Sequence, residues 1–125
     1  MRLLLDTHVV LWAMVDSKTL SPQARALISE ADAVYVSTVS LWEISIKAAL
    51  GKLDLDCDVL VQRLEDAGFL PLQVTWAHAV NLRHLPPLHR DPFDRMLVAQ
   101  ALCEPLRLLT ADSALTGYSE LVTLV

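Results

Sequence analysis

Five short apolar runs are spaced along the chain, and most are followed by a stretch with helical character. The runs are Leu3-Leu4-Leu5, Ala33-Val34-Tyr35-Val36, Phe69 to Val74, Leu106 to Leu109 and Leu121 to Val125. Continuous apolar runs of this length read as strands buried on both faces, the habit of parallel sheets. Between them lie segments with helix signals. Val9 to Val15 is apolar. Ser21-Pro22 supplies an N-cap and a first-turn proline for a helix to about Ala31, with Ala24, Leu27, Ile28 and Ala31 on one face. Ser37-Thr38 opens a long helix that Gly51 stops. Further helices are expected over Asp58 to Ala67, Thr75 to about Leu82, and Pro92 to about Cys103. Pro71 places the third run at a sheet edge or strand start. Strands alternating with helices define an α/β class with a mainly parallel sheet flanked by helices. At 125 residues, one domain over residues 1–125 is expected.

Composition narrows the function. Hydrophobic residues make up 54%, enough for one filled core, and charged residues only 20%, which leaves apolar surface for a partner. The formal net charge of −5 argues against broad capture of a phosphate backbone by positive charge. It does not exclude a nuclease that holds divalent cations with carboxylates, because bound cations invert the local field. Three glycines leave no Gly-rich phosphate loop, and there is no Gly-x-Ser-x-Gly elbow. Cys57 and Cys103 lack metal-type spacing and read as free thiols of a reducing compartment. Asp6 and His8 interrupt the apolar start, and no long uncharged apolar stretch follows, so a cytoplasmic protein with no membrane span is expected.

The chemistry lies in the acids. Asp6 follows the first run and Asp112 the fourth. In open α/β sheets ligands bind beyond the carboxyl ends of the strands, so the two are candidates for one site. Capping of the following helices is the competing account, although Thr7 and Ser113 are alternative caps. Glu43 fits a capping box with Ser40 and an i,i+4 pair with Lys47, yet it sits in a mostly apolar helix. A carboxylate there needs a partner or a metal to offset desolvation. Asp91-Pro92-Phe93-Asp94 opens the last long helix, with Asp91 as N-cap and Asp94 in the first turn. Arg90 and Arg95 are nearby counter-charges. Several carboxylates in one cleft repel each other unless cations neutralise them, and an all-carboxylate set suits Mg²⁺ or Mn²⁺. Such ions activate water and stabilise a leaving oxygen in phosphodiester hydrolysis. His84 and His89 with Asp91 are candidate zinc ligands without a second spaced pair to support them, so they are assigned instead to a loop in which Arg83 and Arg90 contact phosphates. Trp12, Trp42 and Trp76 are assigned to core or partner surface.

Leu5-Asp6-Thr7-His8, Ser40-Leu41-Trp42-Glu43-Ile44, Asp91-Pro92-Phe93-Asp94-Arg95 and Leu109-Thr110-Ala111-Asp112 together resemble PIN-domain ribonucleases. The chain looks most like the VapC-type toxins of bacterial and archaeal toxin–antitoxin pairs. The resemblance covers nearly the whole chain. It implies a three-layer α/β/α sandwich and metal-dependent endoribonuclease activity on structured RNA such as tRNA or rRNA. It also implies a homodimer and inhibition by a cognate antitoxin protein. Asp6, Glu43, Asp94 and Asp112 match the family's acidic quartet of metal ligands and catalytic residues. Asp91 is an extra acid beside the third position; the family pattern places the third acid just before the apolar helix, which favours Asp94 as the third ligand, with Asp91 as the alternative. Thr110 matches a polar position that supports the fourth acid. Two other readings remain at this stage: a haloacid dehalogenase-type phosphohydrolase with Asp6 as nucleophile, which wants an acid where His8 stands, and a receiver-like signalling domain with an acid pocket.

Overall fold

The computed structural model describes residues 1–125. Five strands form one sheet: β1 (Arg2–Leu5), β2 (Ala33–Ser37), β3 (Leu70–Leu72), β4 (Arg107–Thr110) and β5 (Val122–Leu124). All neighbouring pairs are parallel, in the order β3-β2-β1-β4-β5. The helices are α1 (Thr7–Met14), α2 (Pro22–Glu30), α3 (Thr38–Ala49), α4 (Cys57–Asp66), α5 (Trp76–Asn81) and α6 (Pro92–Cys103). Tight 3-10 stretches cover Leu82–His84 and Ser113–Tyr118. No helix is long and apolar enough to cross a membrane.

The period-two alternation of β1 divides the core. Leu3 and Leu5 pack with Val9, Val10, Ala24, Ile44, Leu60 and Leu64 on one face of the sheet. Leu4 points the other way, into a cluster with Leu97, Val98, Ala101, Leu108 and Leu115. Helices therefore cover both faces, and the architecture is a three-layer α/β/α sandwich. Pro71 sits in the three-residue edge strand β3, where its missing N–H costs no interior ladder bond. The ends of the sheet are accordingly short.

Strand order places the crevice. From β1 the chain moves outward on one side through β2 and β3, then returns to pair β4 with β1 on the other side. The order reverses between β1 and β4, and ligands of open α/β sheets bind beyond the strand ends at such a reversal. Asp6 follows β1 directly, and Asp112 follows β4 by two residues.

Candidate metal centre

Asp6 and Thr110 meet across that reversal. The Asp6 N–H donates to the Leu109 carbonyl at 3.0 Å, extending the β1–β4 ladder by one residue. Thr110 then donates its hydroxyl to Asp6 Oδ2 at 2.5 Å, while its Oγ1 accepts the Asp112 N–H at 3.0 Å. The Thr110 hydroxyl thus supports both acids, donating to the Asp6 carboxylate and accepting from the Asp112 backbone, a broader role than support of Asp112 alone. Asp6 Oδ1 accepts the Val9 N–H at 2.9 Å and caps α1. Asp112 Oδ1 accepts the Ala114 N–H at 3.0 Å and caps the 3-10 stretch after it. Thr7 and Ser113 do not serve as these caps. Capping and site-building are compatible, since each bond uses one lone pair of a carboxylate that has about four.

Glu43 enters from α3. Ser37 caps that helix, its Oγ accepting the Val39 N–H at 3.0 Å, so the helix begins a turn earlier than a Ser40–Glu43 capping box requires. Glu43 consequently lies well inside the helix, on its buried face beside Ser40 and Ile44. Thr7 donates its hydroxyl to Glu43 Oε1 at 2.8 Å, and Ser40 Oγ lies 3.1 Å from the same hydroxyl oxygen. Lys47 reaches Glu43 Oε2 at 2.7 Å, the expected i,i+4 pair.

Asp91 caps α6, its Oδ1 accepting the Phe93 and Asp94 N–H groups at 2.8 and 3.1 Å. A cap of this kind contributes about 1 kcal/mol. Asp94 is one turn into the helix, and its carboxylate accepts no hydrogen bond from the chain. Its nearest potential counter-charge is His89 Nε2, 3.7 Å away. Burial raises its pKa to about 7, with further upward contributions from Asp91, Asp6 and Glu43 and a smaller opposing one from His89. Burial also raises Asp6, against the lowering effect of the Thr110 hydroxyl and the Val9 amide. Asp91, Asp6 and Glu43 are thus near enough to Asp94 for their charges to act on it. Asp112 stands at the rim of the pocket, 42% exposed, with Asp94 and His89 half-buried between rim and floor.

The arginines do not neutralise it. Arg95 turns to the preceding loop, donating to the Pro86 carbonyl at 3.0 Å and to Tyr118 Oη at 3.1 Å. Arg90 is exposed and makes no ion pair, so only Lys47 balances five carboxylates. Such a pocket is costly without a cation, and its donor set of carboxylate oxygens fits a divalent one. His89 lies in the loop expected to contact phosphates, and its Nε2 is 2.9 Å from Asp112 Oδ2. Thr7 and Ser40 were not singled out as pocket supports. Only their positions beside Asp6 and Glu43 signalled them. Trp42 and Trp76 are exposed, as partner surface would be, and Trp12 is half-buried against His8.

Residues 3–121 match the PIN domain family. Ribonuclease VapC22 of Mycobacterium tuberculosis is 31% identical over 121 residues, a match covering 92% of this chain and 90% of that protein. Among solved structures, VapBC2 from Rickettsia felis, bound to a DNA fragment from their promoter, is similar with a TM-score of 0.73 and 13% identity, over 100% of this chain and 98% of that one. A toxin–antitoxin complex from Klebsiella pneumoniae is similar with a TM-score of 0.67 and 16% identity, over 96% of this chain and 94% of that one. These two likenesses are of fold. The observed strand order also differs from the 2-1-3-4-5 order of receiver domains, which removes that reading. The haloacid dehalogenase reading falls to the family match.

Proposed function

Because the chain belongs to the PIN-domain family, we propose that it is a metal-dependent endoribonuclease acting as the toxin of a toxin–antitoxin pair. Asp6, Glu43, Asp94 and Asp112 hold the cation, Mg²⁺ or Mn²⁺, and Asp91 serves chiefly as the cap of α6. The observation that carries this reading is Asp94. A half-buried carboxylate with no donor of its own, its pKa raised by burial and then by three other acids, is a position that a divalent cation satisfies.

A cation bound there lowers the pKa of water and offsets charge on the phosphodiester and its leaving oxygen. The chain's own groups prepare the pocket. Thr110 and Thr7 fix the orientations of Asp6 and Glu43 through hydroxyl hydrogen bonds. Lys47 reduces the charge at Glu43. Burial of Asp6 and Glu43 keeps water from screening the floor. The exposed Arg83 and Arg90, on the approach to Asp91, supply phosphate contacts that an acidic protein otherwise lacks.

The substrate is structured RNA such as tRNA or rRNA, and the partners are a cognate antitoxin and a second copy of the chain, in the cytoplasm. The similarity to Ribonuclease VapC22 supports RNA as the substrate, and the likeness to a toxin–antitoxin complex supports an antitoxin partner. Exposed Trp42 and Ile46 on α3 and Leu50 at its C-cap, spaced four apart, offer apolar surface for a protein partner.

The test is cleavage of a defined tRNA or rRNA fragment by purified protein. Cleavage is expected with Mg²⁺ or Mn²⁺ and not with chelator. Asp6→Asn should abolish it with little loss of fold. Asn keeps the Oδ1 acceptor for the α1 cap, and its amide can donate to Thr110 Oγ1. Asp6→Asn protein that cleaves at the wild-type rate would show the site to be misassigned.

A further inference from the structure

His89 is the one nitrogen base among the pocket carboxylates. Its Nε2, an Asp94 oxygen and an Asp112 oxygen all lie within 4.8 Å of one another, close enough to be three ligands of one ion. The other ring nitrogen argues against that role. The Asp91 backbone N–H donates to His89 Nδ1 at 3.0 Å, so Nδ1 presents its lone pair. A neutral imidazole with an acceptor at Nδ1 carries its proton on Nε2. Nε2 lies 2.9 Å from Asp112 Oδ2, the distance of a donor facing a carboxylate. A nitrogen that bears a proton has no lone pair for a metal. Metal-bound histidines show the opposite arrangement, in which the free nitrogen donates to a carbonyl or carboxylate. Here the group facing the free nitrogen is itself a donor.

We infer that His89 is a positioning residue and not a metal ligand: its Nε2–H holds Asp112 at the pocket while the Asp91 amide fixes the tautomer. This rests on the metal pocket proposed above. The ring is carried on a pinned segment. The His89 N–H donates to Tyr118 Oη at 2.9 Å, and Arg95 ties the same hydroxyl to the Pro86 carbonyl. Asp112 is then held at both oxygens, by Ala114 N–H at Oδ1 and by His89 at Oδ2. Each oxygen keeps a lone pair for the cation. The ligand set stays all-oxygen, so the pocket does not acquire the preference for imidazole-loving ions that a histidine ligand would confer.

Two measurements on the full chain test this. Long-range proton–nitrogen correlation spectra of nitrogen-15 histidine-labelled protein, in mildly alkaline buffer, report the tautomer. The His89 signals are assigned by their loss in His89→Gln. The Nε2–H tautomer is expected without metal and at saturating Mg²⁺. Calorimetric titration with Mg²⁺ and with Mn²⁺ then compares wild type, His89→Ala and His89→Gln. His89→Ala should weaken both ions by a similar factor of about tenfold, the range seen when groups orienting a ligand are removed. His89→Gln, whose amide can donate, should recover most of the loss. An Nδ1–H tautomer would overturn the inference, as would a loss several times greater for Mn²⁺ than for Mg²⁺. So would unchanged affinity in His89→Ala. Wild-type protein that binds neither ion overturns the pocket itself, and is told apart from failure of the inference alone, which leaves wild-type binding intact.

Discussion

Asp94 differs from the other four pocket acids in accepting nothing from the chain, and this gives it a measurable pH signature. Its folded-state pKa of about 7 lies above the ordinary carboxylate value, so the folded protein retains a proton that the unfolded chain releases earlier. The contribution to stability is therefore full below the ordinary value and is lost as pH rises through about 7. In chelator, metal-free wild type should lose melting temperature relative to Asp94→Asn between about pH 5 and about pH 8, the window bracketing that value. A gap between the two melting curves that stays constant with pH would mean Asp94 is ionised throughout. Cation binding should correspondingly weaken as pH falls below about 7, because a proton then occupies the site. At this scale the sequence reveals the acids and conceals their supports. Asp6 and Asp112 stand out because each follows an apolar run. Thr110 acts on a residue 104 positions away and Thr7 on one 36 positions away, and no local pattern encodes such pairs. His89 was obscured for another reason: its tautomer depends on a backbone N–H two residues on, which only the folded loop presents.

The elements were more legible than their junctions. Alternating runs and caps gave the strands, the long helices and the parallel class. α3 starts at Ser37-Thr38, where the sequence places it, and that start rules out the Ser40–Glu43 capping box and leaves Glu43 in the buried interior of the helix. The division between Asp91 and Asp94 follows from α6 itself: the cap faces two backbone N–H groups, and the residue one turn in faces the other acids. Arg95 belongs to the same helix but acts on the loop before it, where it meets the carbonyls of Pro86, His89 and Leu85 as well as Tyr118. Arg95→Met should leave the α6 core packing intact, since Leu97, Val98 and Ala101 carry it. It should speed amide hydrogen exchange over residues 85 to 90 by about tenfold, the loss of roughly 1.4 kcal/mol of local protection. Unchanged exchange there would show that Tyr118 alone pins the loop.

Over the whole molecule, apolar side chains exceed what the core consumes. Trp76 is 92% exposed on α5, with Val80 and Val74 also uncovered nearby in the chain. A low share of charged residues had indicated such a surface without locating it. If the proposed homodimer uses the α5 face, Trp76→Asp should convert it to monomer in size-exclusion chromatography with light scattering, with unchanged far-UV circular dichroism. A dimer that persists in the variant places the contact elsewhere, with α3 as the next face to test.

The pairing of β1 with β4 also has a consequence in time. Asp6 and Glu43 are synthesised well before Thr110 and Asp112. The crevice does not exist until β4 has emerged and docked beside β1, since Thr110 sets Asp6 and the Leu109 carbonyl anchors its backbone. Contacts so distant in sequence form late, after the loop-closure entropy of nearly the full chain has been met. A nascent chain interrupted before Thr110 therefore carries three of the four acids, Asp6, Glu43 and Asp94, without the strand that completes the crevice. On the proposed function, this toxin cannot cut RNA until β4 and Asp112 have been synthesised and have docked beside β1.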